Sequence, residues 1–179
     1  MSSRFVKIAA VAAVLFVFTT IQGNQRIPSN TDRLLTVLGS PVFEGSIRKQ
    51  MICEITAYCP GACCNTAVTA RADGSTEIKN WANMIAAGNV TIDQLQKAGI
   101  GVAAVDISVI PYGSIIKYNG KLYAALDCGG LIKGNRIDIA MENHAESNVF
   151  GRRNGQNVEV FVPTQPARSV AVILESSFL

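Results

Sequence analysis

Asn119-Gly120 separates the run Ser114 to Tyr118 from the run Lys121 to Leu126, and an Asn-Gly pair between two such runs is the strongest short-range signal for a tight β-hairpin. The rest of the chain is punctuated in the same way. Met51, Cys53, Ile55 and Ala57 alternate with Ile52, Glu54, Thr56 and Tyr58, which predicts a strand. Gly101 to Asp106 is a compact apolar run, Arg136 to Met141 alternates again, and Val158, Val160 and Val162 mark a further strand. Thr91 with Gln94, and Asn143 with Glu146, read as capping boxes that open two short helices, closed by Gly99 and Gly151. Many short strands with two short helices predict a small closed barrel, because closure removes the edges that antiparallel strands otherwise expose.

The 179 residues suffice for one domain and a short leader. A charged fraction of 16% with 49% hydrophobic residues excludes a disordered chain. The formal charge of +3 is scattered, with no basic run and no interleaved aromatics, so no nucleic-acid partner is expected. Arg4 and Lys7 precede an apolar run from Ile8 to Phe18, followed by polar Gly23, Asn24 and Gln25, the pattern of an export signal. That run is shorter than the roughly 20 residues that span a bilayer. Residues 1–23 are therefore read as a signal peptide or N-terminal membrane anchor, and the product as exported to the periplasm or cell envelope. Membrane contact is expected only through this segment. Residues 24–50, rich in Asn, Ser, Pro and Gly, read as a linker, residues 51–163 as the barrel domain, and residues 164–179 as a tail. Within the tail, Ser169 to Leu174 reads as an extra strand or a docking segment.

Three aspartates stand against apolar strands: Asp106 after Val105, Asp127 after Leu126, and Asp138 within Arg136-Ile137-Asp138-Ile139. A carboxylate there is costly unless paired, so each points into a polar pocket or serves a turn, and spacing alone does not choose between the two. Around them stand Ile110-Pro111-Tyr112-Gly113-Ser114, Asp127-Cys128-Gly129-Gly130, Ile132-Lys133-Gly134-Asn135-Arg136-Ile137-Asp138 and Phe150-Gly151-Arg152. Upstream lie Ile55-Thr56-Ala57-Tyr58-Cys59-Pro60 and Val68-Thr69-Ala70. In this order the motifs resemble the 3D (three-aspartate) domain family, which is similar to the catalytic barrel of membrane-bound lytic transglycosylase A. The chain departs from the usual pattern at Cys128, Ile107 and Arg71-Ala72, where the family commonly carries Thr, Pro and Ser-Gly.

The resemblance implies a mainly β fold, a six-stranded double-psi β-barrel with short helices. It implies a lytic transglycosylase that cleaves the MurNAc-GlcNAc bond of peptidoglycan glycan strands and leaves a 1,6-anhydro end, with no cofactor and no catalytic metal. Asp138 is then the acid and base, Asp127 its electrostatic partner and Asp106 a support. Thr69, Gly129, Gly130, Lys133 and Arg136 are the expected substrate contacts. The alternative is a barrel of the same fold that binds wall glycan or is structural without cleaving.

Cys59, Cys63 and Cys64 cluster, with Cys53 and Cys128 elsewhere. In an exported protein disulfides are the first expectation, although five is odd. Zinc is the rival, using two or three of the cluster with His144 or Cys128, but Cys-x-x-x-Cys-Cys lacks a second matching pair. A cysteine peptidase built on Cys128 and His144 lacks the strand-turn-helix setting of a nucleophile.

Overall fold

The computed structural model describes residues 30–178, so the expected leader and the first residues of the expected linker lie outside the described residues. Among the described residues no helix is long and apolar enough to cross a membrane. The elements run α1 (Asn30–Leu38), β1 (Ile47–Tyr58), α2 (Ala62–Asn65), β2 (Thr66–Ala70), β3 (Thr76–Asn80), α3 (Ile92–Lys97) and β4 (Val102–Val105). They continue with β5 (Ile115–Tyr118), β6 (Lys121–Asp127), β7 (Arg136–Ala140), α4 (His144–Phe150), β8 (Arg153–Val162) and α5 (Pro166–Glu175).

Six strands close a barrel in the order β1-β7-β4-β6-β5-β8, with β8 returning to β1. The six-stranded barrel that was expected is therefore closed, and its sheet is mixed: the pairs β1/β7 and β4/β6 are parallel and the other four antiparallel. Asn119 and Gly120 turn β5 into β6 with φ of 47° and 75°, the two left-handed positions this turn requires. Both expected helices form at their caps. Thr91 and Gln94 make the reciprocal capping box, and Asn143 accepts from the Glu146 amide.

Strand alternation divides the core in two. Ile55, Ala103, Val105, Ile116, Ala125, Ile137, Ile139, Val158 and Val160 fill the interior, as side chains do in small barrels. Val102, Ala104, Ile115, Leu122, Ala124, Leu126 and Ala140 face outward under a cover of helices, which contribute Leu34, Ile92, Leu95 and Ile173.

Two expectations need correction. The stretch read as linker contains α1, whose Leu34 and Val37 are buried, and β1 begins at Ile47 instead of Met51. The tail is a helix and forms no extra strand. Pro166 occupies its first turn, and Ser169 and Ile173, one turn apart, are fully buried. Ser169 Oγ donates to the Gly113 carbonyl at 2.7 Å, and a Cβ on Gly113 (φ 81°) would lie 2.7 Å from the Pro166 carbonyl oxygen. Glycine is what lets α5 dock so closely.

Candidate active site

β4 is flanked by β7 and β6, and Ala104 is the register point for both. It pairs with Asp138 on one side and Asp127 on the other, while Thr56 of β1 pairs with Asp138. One row therefore runs Thr56, Asp138, Ala104, Asp127 across four strands. A bulge adjusts its last member. Ala103 pairs with Ala125 but Ala104 pairs with Asp127, so Leu126 is the extra residue. Without it, strict alternation from Ala125 would set Asp127 on the same side as that interior residue.

The two carboxyl groups are held differently. Asp127, 8% exposed, accepts from the Tyr58 hydroxyl at 2.7 Å on Oδ2, and from the amides of Cys128 at 2.9 Å and Ala86 at 3.2 Å on Oδ1. Asp138 accepts from the Thr56 hydroxyl at 2.6 Å on Oδ1, and among the described residues no hydrogen bond reaches its Oδ2. Burial raises the pKa of both above the ordinary aspartate value. For Asp127 the three donors oppose the rise; for Asp138 the Thr56 hydroxyl and Arg136 oppose it, and the Asp127 charge adds to it. The Tyr58 phenol, buried against both carboxylates, is pushed well above its usual range by desolvation first and the Asp127 charge second. Burial raises the Tyr112 phenol, and the neighbouring Cys128 thiol adds to the rise.

Asp106 does not join the pair. Its Oδ1 accepts from the Ser108 hydroxyl at 2.7 Å and amide at 3.1 Å, and its Oδ2 from the Gly134 amide at 2.9 Å. Those bonds, the Ser108 hydroxyl foremost, hold its carboxyl below the ordinary range. Asp106 thus fastens the loop after β4 to the loop before β7 and positions what leads into Asp138.

The expected substrate contacts are dispersed. Thr69 sits mid-hairpin on the exposed β2/β3 arm, opposite Glu77. The Gly129 carbonyl accepts from the Ile132 amide at 3.1 Å, and a Cβ on Gly129 would lie 2.9 Å from the Ile132 side chain, so it serves the turn before β7; Gly130 is open. Lys133 is exposed. Arg136 is engaged, paired with Glu54 and donating to the Leu131 carbonyl at 3.0 Å, while Arg152 holds both Glu54 oxygens at 2.9 Å. Thr56 and Tyr58, which bind the two carboxylates, were read only as strand residues. Their signal was two polar side chains on the outward positions of β1.

All five cysteines are free thiols, and the disulfides expected in the cluster are not formed. Cys59, Cys63 and Cys64 instead converge on His144, with the four potential ligand atoms within 4.8 Å of one another. Cys128 lies apart from His144, against Tyr112 and next to Asp127, so the two make no peptidase pair.

Residues 101–162 match the 3D domain. The chain is similar to the SPbeta prophage-derived uncharacterized protein YorM of Bacillus subtilis (strain 168), 47% identical over an alignment of 60 residues, with 31% of this chain and 25% of that protein covered. It is also similar to the crystal structure of MltA from E. coli, 25% identical with a TM-score of 0.32, over 50% of this chain and 30% of that one. The chain thus spans less than a third of either protein's length.

Proposed function

From the premise that this chain carries a 3D domain closed as a double-psi barrel, we propose that it is a peptidoglycan lytic transglycosylase in which Asp138 is both acid and base. The observation that carries the reading is the unequal pair: two half-buried to buried carboxyl groups on one row, one with both oxygens engaged by donors and one with an oxygen that no hydrogen bond reaches among the described residues. Three donors aimed at Asp127 favour its ionised form. Asp138, desolvated and beside that charge, is the one suited to hold a proton to higher pH than an ordinary aspartate does.

The chemistry follows from those states. Asp138 donates its proton to the glycosidic oxygen as the C1–O bond of the MurNAc residue breaks. Positive charge develops on the sugar ring, and the Asp127 carboxylate stabilises it. The Asp138 carboxylate then removes the proton of the C6 hydroxyl as O6 bonds to C1, so water is not consumed and Asp138 regains its proton. No carboxylate nucleophile is needed, unlike retaining hydrolysis. The substrate is peptidoglycan glycan, the setting is the cell envelope, and the apolar run before Gly23 is the export signal.

The full chain incubated with purified peptidoglycan is expected to release 1,6-anhydromuropeptides, detected by mass spectrometry. Asp138→Asn is expected to lose at least about 10²-fold in rate, the lower end of a general acid's contribution. Binding to glycan with no anhydro product from the wild type refutes the enzyme and leaves a glycan-binding barrel. Wild-type turnover in Asp138→Asn removes that residue from the role.

A further inference from the structure

Cys59 follows β1 directly, Cys63 and Cys64 lie in α2, and His144 is the first residue of α4, yet their ligand atoms meet. The Nδ1 atom of His144 is 3.5 Å from the sulfurs of Cys63 and Cys64 and 3.8 Å from that of Cys59. The Cys59 sulfur is 3.1 Å from that of Cys63 and 3.5 Å from that of Cys64. Hydrogen bonding does not account for this grouping. A single ring nitrogen is either one donor or one acceptor, so it cannot serve three sulfurs at once. Nor do disulfides, since any pairing among three cysteines strands the third beside the histidine.

We propose that Cys59, Cys63, Cys64 and His144 bind one zinc ion in a closed, structural Cys3His site. A tetrahedral zinc with bonds of about 2.3 Å to sulfur and about 2.05 Å to nitrogen sets S···N at about 3.6 Å and S···S at about 3.8 Å. The S···N distances here already have that value to within about 0.2 Å, and the Cys59 sulfur would move away from that of Cys64 by about 0.3 Å and from that of Cys63 by about 0.7 Å. Binding converts three thiols to thiolates, releases their protons, and leaves the imidazole neutral on Nδ1. Four protein ligands leave no open position, so the ion does not take part in glycan chemistry.

A second observation shows what the ion would hold. α2 has four residues and none buried, and the β2/β3 hairpin after it is almost wholly exposed. A two-stranded hairpin is marginal in water without a packed face, and a one-turn helix has no stability of its own. The segment is tethered at its base by the Asn65 side chain, which donates to the carbonyls of Cys59 and Gly61, and by the cysteine cluster. Zinc there would fix the arm to β1 and α4. This proposal does not depend on the transglycosylase reading.

The test uses the full chain, purified with reductant and without chelator. Elemental analysis is expected to give one zinc per chain, and cobalt exchanged into the site is expected to show the intense visible bands of a tetrahedral thiolate complex. Chelation is expected to abolish hydrogen-exchange protection across Thr66–Asn80 while the barrel strands keep theirs. His144→Ala and Cys63→Ser are expected to lose stoichiometric zinc, and Cys53→Ser and Cys128→Ser to retain it. A wild-type chain with no bound zinc and the weak spectrum of octahedral aqueous cobalt overturns the site, whatever the variants do. So does non-reducing mass spectrometry that finds a disulfide within the cluster.

Discussion

Replacing Tyr58 by Phe removes one oxygen and leaves the ring in the outer core, so it isolates the hydroxyl that donates to Asp127 at 2.7 Å. The phenol is 6% exposed and Asp127 8% exposed, so water cannot readily substitute for the lost donor. A hydrogen bond to a charged acceptor contributes about 1.5–3 kcal/mol, more than a neutral one, because the carboxylate left behind keeps its desolvation cost. For a chain of this size about 1 kcal/mol moves the melting temperature by about 2–4 °C, so Tyr58→Phe should melt about 3–12 °C below wild type near neutral pH. The effect should also depend on pH. This bond lowers the Asp127 pKa relative to a site without it, so its contribution is complete above the folded-state titration and is lost as pH falls through it. Urea unfolding of both proteins near neutral pH, and again within the ordinary carboxylate range, should show the difference shrinking towards acid. Equal stabilities near neutrality, or a difference that stays constant with pH, would refute the assignment of this hydroxyl to an ionised Asp127.

Asp127→Asn removes the like charge that helps raise Asp138, so the Asp138 pKa falls and the alkaline limb of the pH-rate profile for anhydromuropeptide release should move to lower pH; a limb that stays in place separates the two groups. Ile173→Ala truncates a fully buried side chain of α5 and should cost about 2–5 kcal/mol in chemical denaturation; a smaller loss would mean that the helix is not part of the cooperative core.

Elements specified by their own few residues were readable from the chain. The Asn119-Gly120 turn and the Thr91 and Asn143 caps need only neighbours within four positions, and each forms where it was expected. Elements decided by distant partners were not. Ser169 to Leu174 is rich in β-branched residues and favours a strand by propensity, but Ser169 docks on the Gly113 carbonyl while Ile173 enters the outer core, and only a helical spacing puts both on one face. The polar lead-in hides Leu34 and Val37, whose burial depends on strands much later in the chain. The aspartates divide in the same way. Asp106 finds its partner in Ser108 two residues on, although spacing alone left its turn role undecided, whereas the meeting of Asp127 with Asp138 depends on register across three strands. The cysteine cluster lacked a fourth ligand within its own motif because His144 is supplied 80 residues later by the N-terminus of α4.

The bulge in β6 is where the demands of the core and of the site are reconciled. Leu126 is fully buried in the outer core, beneath the helices that cover the barrel, and Asp127 must reach Tyr58 on that same side. A regular strand cannot place two consecutive side chains on one face, since successive residues alternate. Shifting the pairing by one residue would send Asp127 towards Ala125, Ile137 and Ile139, where an unpaired carboxylate has no donor. Inserting Leu126 as the unpaired residue gives the helices their apolar contact and still turns the carboxylate out beside Ala104. Ala104 matters for the same reason: it pairs with Asp138 on one side and Asp127 on the other, so its place in β4 sets the two carboxyl groups in one row. The geometry that brings two acidic groups together is therefore carried by two apolar residues, neither of which has any chemistry of its own.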